Sequence, residues 1–219
     1  MLSYIDVYGY EKWVIVISLI LLSLFFIAKY IPLKTKFEKR SGGALIVFIA
    51  ALFTEMYGFP LTIYVLSSFF GINIPLTHGK GHLFGTLLTY LGLGNGWFIV
   101  MAISTGLLLL GLYYVVEGWK RVYNAKGKLV TDGIYKKMRH PQYTGIYLII
   151  IGFIIQWPTL ITLIMFPFLI RMYYNLAKRE ESDILKKFPK EYKQYMSKTP
   201  MFIPKGWRIF TSVKNKKGG

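Results

Sequence analysis

Cysteine is absent from this 219-residue sequence, which excludes disulfides, thiolate-held metals and cysteine nucleophiles. Carboxylates are scarce: 10 Asp and Glu stand against 27 Lys and Arg, and histidine occurs 3 times. No small-residue cleavage signal follows the first apolar run, and Asp6 and Glu11 precede it. The N-terminus therefore reads as a retained anchor. There is no internal repeat, and no low-complexity segment beyond a lysine-rich end.

What is abundant is apolar surface. Hydrophobic residues make up 54% of the chain and aromatics 17%, with a mean hydropathy of +0.43. That profile is too apolar for a soluble globule and points to the bilayer. The net charge of +17 does not imply nucleic acid, because the basic residues lie between apolar spans and not on one soluble face. An anionic membrane surface and an anionic small molecule fit them better.

A spanning helix needs roughly 20 apolar residues. Residues 13–31 supply one, 96–117 another, and 142–176 read as a tight helical hairpin broken at Gln156-Trp157-Pro158. Residues 42–72 are too long for one straight span, and Gly58-Phe59-Pro60 can kink or end that helix. Lysine and arginine number five in 29–41, seven in 118–141 and thirteen in 171–219, leaving only Lys12 and Lys80 for the other side. The expected fold is thus an all-α integral membrane protein of five spans, N-terminus outside and C-terminus cytoplasmic. Beyond the hairpin, Ile184, Leu185, Phe188, Tyr192, Tyr195 and Met196 recur at helical spacing, and Pro189 suits the first turn of a short helix. This amphipathic tail can lie on the bilayer, with Trp207 and Phe210 as interface anchors.

The stretch "RHPQYTG" (139–145) is the most unusual in the chain. Pro141 fits the first position of a helix and pushes His140 towards extended backbone. Arg139 and His140 then stand at a helix N-terminus, where unpaired amides and the dipole attract an anion. Gly145 leaves room for close approach, and Thr131-Asp132-Gly133 marks a turn just upstream. A basic loop gripping lipid headgroups would explain the same residues. The second polar cluster is Arg179-Glu180-Glu181, which the hairpin returns to the same membrane face. Together the two clusters suit a zwitterion; alone, the acidic pair also fits a solvated helix end.

"LVTDGIYKKMRHPQYTG" followed by "REESDILKKFPKEYKQYMSKTPMFIP" resembles the isoprenylcysteine carboxyl methyltransferase family and, more loosely, its phospholipid methyltransferase relatives. The likeness covers 129–204 and rests on the order of its parts: a Gly-x-Tyr turn, Arg-His-Pro-x-Tyr-x-Gly, a hairpin, Glu-Glu, Phe-x-x-x-Tyr and Thr-Pro. Ile134 departs from the family's usual proline and Pro189 from its usual glycine, both of which touch backbone shape only. The resemblance implies S-adenosylmethionine as methyl donor, with Tyr135, His140 and Tyr143 lining its pocket, Glu180 and Glu181 at its polar end, and the backbone of Leu129 and Val130 at the adenine. Arg139, Glu180 and Glu181 are the candidate catalytic residues, with a preference for Glu180 at the cofactor because its helical neighbours look more buried. The chain then divides into N-terminal membrane helices (1–128), a methyltransferase region (129–204) and a basic tail (205–219). The acceptor would be lipophilic and arrive from the bilayer. Family membership points to a carboxylate, while an amine or thiol remains open.

Two carboxylates lie in or near the apolar spans, Glu55 and Glu117. An intramembrane carboxylate suggests function, and Glu55, near the Pro60 break, is the candidate for the acceptor pocket. It also fits a neutral carboxyl hydrogen-bonded to a neighbouring helix. His78 and His82 have four-residue spacing, but two glycines between them argue against a helix and no third ligand is evident, so no metal is expected. A transporter would need repeat symmetry, which the sequence lacks, and leaves 139–145 unexplained; a lipid-binding scaffold whose basic loops grip anionic headgroups is the third reading.

Overall fold

The computed structural model describes residues 12–31, 35–72 and 81–204. Asp6, Glu11, His78, Lys80, Trp207 and Phe210 lie outside the described residues. Eight α-helices are described: α1 (Trp13–Tyr30), α2 (Lys36–Phe53), α3 (Leu61–Phe70), α4 (Leu83–Tyr90), α5 (Gly96–Asn124), α6 (Pro141–Gln156), α7 (Leu160–Lys187) and α8 (Pro189–Lys198). There is no strand among the described residues. Among the described residues, four segments are long and apolar enough to cross a membrane: Trp13–Tyr30, Glu38–Gly58, Gly96–Asn124 and Leu160–Lys187. α6, the first arm of the expected hairpin, has 16 residues and is only about 24 Å long, short of a bilayer core of roughly 30 Å. Its length is set by Pro141 at one end and Trp157-Pro158 at the other.

α2 begins earlier than the apolar run. Thr35 and Glu38 form a reciprocal capping box, so Lys36, Lys39 and Arg40 enter the helix despite their charge. The expected break at Gly58-Phe59-Pro60 is present, preceded by a π-helical turn at Thr54–Gly58, and α3 restarts after Pro60. Residues 83–90, unassigned from sequence, form α4, which folds back on the first turn of α5: a methyl group on Gly85 would lie 3.0 Å from the Trp97 Cα.

The closest pairing in the bundle is α5 against α6. A methyl group on Gly145 would lie 2.5 Å from the Gly111 carbonyl oxygen, and one on Gly111 would lie 2.6 Å from that of Gly145. Gly118 meets Gln142 at one end of the contact, and Gly152 meets the Ser104 carbonyl at the other. Small residues therefore recur every seven positions on both helices, and the backbones touch, which is how helices associate where lipid removes the hydrophobic driving force. The room at Gly145 thus serves α5 and not a ligand. Gly145→Ala is expected to cost roughly 1–3 kcal/mol through overpacking and to lower the unfolding temperature in detergent by several degrees. Gly106, with nothing within 4 Å, should accept alanine without change. Equal melting of the two variants would refute the seam.

The hairpin tip is pinned by polar groups. Glu55 accepts from the Thr62 amide (2.8 Å), and Thr62 Oγ1 accepts from the Leu160 amide (2.9 Å). His82 Nδ1 donates to the Gln156 carbonyl (2.8 Å). Thr159 and Thr162 form a capping box that starts α7.

Candidate functional site

At the opposite end of α6, the chain between α5 and α6 bends over the helix ends. Gly133 has φ +55°, and a side chain there would strike the Arg121 guanidinium, which bridges Glu117 (2.8 Å) and Asp132 (3.0 Å). Glu117 is therefore a local ion-pair partner. Tyr135 is buried; its hydroxyl donates to the Gly118 carbonyl (3.3 Å), and its own carbonyl accepts from the Tyr195 hydroxyl (2.6 Å). Burial pushes both phenols well above their ordinary pKa, so each stays a neutral donor that ties the loop to α5 and α8.

Residues 199–203 then run back as a strap across the start of α6. The amides of Arg139 and His140 donate to the carbonyls of Pro200 (2.9 Å) and Met201 (3.0 Å). Thr144 Oγ1 donates to Phe202 O (3.0 Å), and the Phe202 ring lies 5.8 Å from that of His140. Pro200 and Pro204 mark this strap as extended in the sequence, but not its partner. It uses the backbone donors that the sequence reading offered to an anionic ligand.

The anion that meets this helix start is the protein's own. Glu181, 3% exposed, accepts from Arg139 Nε at 2.7 Å and from His140 Nε2 at 3.1 Å, and Lys178 Nζ stands 4.0 Å from its other oxygen. Arg139 also donates to the carbonyls of Met196 (3.1 Å) and Thr199 (2.6 Å). Its guanidinium is consumed in joining α6, α7, α8 and the strap. Glu180 accepts from the Tyr143 hydroxyl, and its remaining oxygen is 3.8 Å from His140 Nδ1. With its side chain 30% exposed, Glu180 is the accessible carboxylate. The sequence argument that Glu180 is the more buried of the pair is thus reversed: Glu181 lies on the face of Ala177, which is fully buried.

The structure therefore brings together Arg139, His140, Tyr143, Glu180 and Glu181, with Tyr135 one link away through Tyr195. Leu129 and Val130 line a separate cavity of about 540 Å³ with Lys120, Arg121 and Lys128. Leu129 also borders a groove of about 590 Å³ against Tyr195 and Thr199. Glu55 is not part of this cluster. It sits at the hairpin tip, about 24 Å away along α6, and does not line the apolar cavity between α1, α2, α5 and α6.

This cavity has a volume of about 440 Å³. Ile27 and Ile146 are its buried floor, whereas Leu22 and Phe25 are more than half exposed at its rim, so it opens on the lipid-facing side. Ile146 is one helical turn from Tyr143, on neighbouring positions of α6. The apolar chamber thus begins one turn along α6 from the tyrosine that holds the partly buried Glu180 carboxylate. The donor set suits a ligand with a positive end: Glu180 has spare acceptor capacity, and the ring faces of His140 and Tyr143 stack nearby at 5.7 Å.

The sequence model of the phospholipid methyltransferase family matches residues 81–191, beginning well before the motif-bearing stretch and ending inside α8. Protein-S-isoprenylcysteine O-methyltransferase of Schizosaccharomyces pombe is 31% identical over 77 residues, covering 35% of this chain and 33% of that protein. Protein-S-isoprenylcysteine O-methyltransferase B of Arabidopsis thaliana is 31% identical over 78 residues, covering 35% of this chain and 40% of that protein. The matched segment spans well under half the length of either relative. No solved structure matches the chain significantly.

Proposed function

We propose that this chain, which belongs to the phospholipid methyltransferase family, is an integral membrane methyltransferase that uses S-adenosylmethionine and acts on a lipophilic acceptor, a lipid-linked carboxylate. The observation that carries this reading is that the apolar cavity reaches Ile146, one turn of α6 from Tyr143 and its Glu180 partner.

Glu180, His140 and Tyr143 would hold the cationic, amino-bearing part of the cofactor, and Leu129 and Val130 the adenine end, with Glu181 and Arg139 fixing the frame around them. When bound, S-adenosylmethionine supplies a methyl group on a positively charged sulfur. Transfer is an in-line displacement, so the residues' task is to align the reactants and keep water away. The acceptor tail fits among Leu22, Phe26, Ile27 and Ile146, entering from the bilayer. Lys36, Lys39 and Arg40, in the first turns of α2, give this end of the bundle the charge that attracts an anionic acceptor. A carboxylate needs no general base; an amine would have to lose a proton, for which Glu180 is placed. The charge asymmetry supports a cytoplasmic position for this end, where the soluble cofactor is found.

The test uses the purified full chain in phospholipid nanodiscs with methyl-tritiated S-adenosylmethionine, offered a prenylcysteine carboxylate, an aminophospholipid or a lipophilic thiol. Label that base releases as methanol is expected from the carboxylate acceptor. Base-stable label in the aminophospholipid would move the assignment to amine methylation. Absence of cofactor binding would overturn the reading altogether.

A further inference from the structure

α7 carries a single charged residue inside its apolar stretch, Arg171, three turns after the helix begins. Its side chain is exposed, and no carboxylate among the described residues pairs with it. A guanidinium at this depth is costly in lipid and calls for a partner or a route to the interface. It stands on a cavity of about 630 Å³ between α6, α7 and the strap, walled by Tyr147, Phe166, Pro167, Tyr174 and Phe202. This cavity shares no residue with the chamber between α1, α2, α5 and α6. Seven residues on, Lys178 occupies the same face of α7, its ammonium 5.8 Å from the centroid of the Tyr174 ring. Arg171, Tyr174 and Lys178 therefore form a ladder of cation, ring and cation about 10 Å tall.

We propose that this cavity is a binding site for one molecule of anionic phospholipid, its phosphate held between Arg171 and Lys178 and an acyl chain laid against Phe166 and Pro167. The charge decides the class: Arg171 and Lys178, the latter also 4.0 Å from the Glu181 carboxylate that Arg139 and His140 share, favour a net-negative headgroup, whereas a zwitterionic lipid brings its own ammonium against them. The location gives the lipid a consequence. Phe202 is both a wall of this cavity and part of the strap over His140, with its carbonyl held by Thr144. An occupant supports the strap from behind.

Native mass spectrometry of the full chain in detergent, titrated with phosphatidylglycerol or phosphatidylcholine, tests this. The parent is expected to retain one phosphatidylglycerol about fivefold more tightly than phosphatidylcholine, the size of effect one basic residue gives near a membrane surface. Arg171→Gln should abolish that preference, Arg171→Lys should keep most of it, and Lys120→Gln, in the other basic cavity, should leave it intact. Phe166→Trp, which fills the cavity without touching charge, should weaken retention of the lipid and covers the case in which Arg171→Gln fails to fold. An unchanged preference in Arg171→Gln, or one lost in Lys120→Gln instead, would overturn the proposal. Methyl transfer is not read in any arm, so the result stands apart from the proposed activity.

Discussion

Glu180→Gln should lower S-adenosylmethionine affinity at least tenfold while leaving the fold intact. The glutamine oxygen can still accept from the Tyr143 hydroxyl, which is the one hydrogen bond Glu180 makes within the described residues, so what the substitution removes is the negative charge. Charge-assisted hydrogen bonds contribute roughly 1.5–3 kcal/mol, equivalent to about tenfold or more in affinity. Tyr143→Phe is the companion variant: it deletes the partner and keeps the charge, and should bind the cofactor far better than Glu180→Gln. Calorimetric titration of both at matched thermal stability separates the two roles. Parent-like binding by Glu180→Gln would reduce Glu180 to an anchor for Tyr143.

Glu181 should behave differently, as a stability residue first. Removing one member of a buried ion pair leaves the other uncompensated and typically costs about 3–5 kcal/mol. Glu181→Ala strands both Arg139, whose side chain is 10% exposed, and His140, at 5%. The two carbonyls that Arg139 keeps place the expected loss near the lower end of that range. Arg139→Ala should cost a similar amount, and the double variant clearly less than the sum, because the second removal deletes a charge already stranded. Arg139→Lys should not rescue, since an ammonium cannot reach Glu181 and both carbonyls with the same planar fork. Thermal unfolding of the four variants beside the parent in one detergent measures this. Additive losses would show that Arg139 and Glu181 do not act as a pair.

The parts of this site that follow local rules were legible in the sequence. Pro141 and Pro189 both start helices, as their fixed φ and missing donor require, and the break at Gln156-Trp157-Pro158 turns the chain back so that Glu180 and Glu181 reach His140. What pairs over long sequence distance was not legible. Nothing local says that Pro200 and Met201 accept from Arg139 and His140, because an extended strap has no period to read. The spacing of Ser104, Gly111 and Gly118 against Gly145 and Gly152 was visible, yet a glycine's room looks the same whether a ligand or a helix fills it. The order of burial within the acidic pair was inverted for a related reason. Large apolar neighbours such as Ile184 and Phe188 suggested an inward face for Glu180, but the tightest packing falls on the small Ala177 and with it Glu181. Glu55 was legible only by depth: a carboxyl in an apolar span suggests either function or a hydrogen bond to a neighbouring helix, and in the structure it receives the first turn of α3 at the hairpin tip.

The strap also sets an order of events in time. α6 and α7 can enter the bilayer as a hairpin before residues 199–203 have left the ribosome. Until those residues arrive, the amides of Arg139 and His140 lack their acceptors, and the guanidinium has Glu181 but neither the Thr199 carbonyl nor the completed turn of α8 at Met196. The framework of the site is therefore laid down early, and the strap is the last of its parts to be synthesised. A nascent chain halted before Thr199 has its membrane helices and both carboxylates, but no closed site.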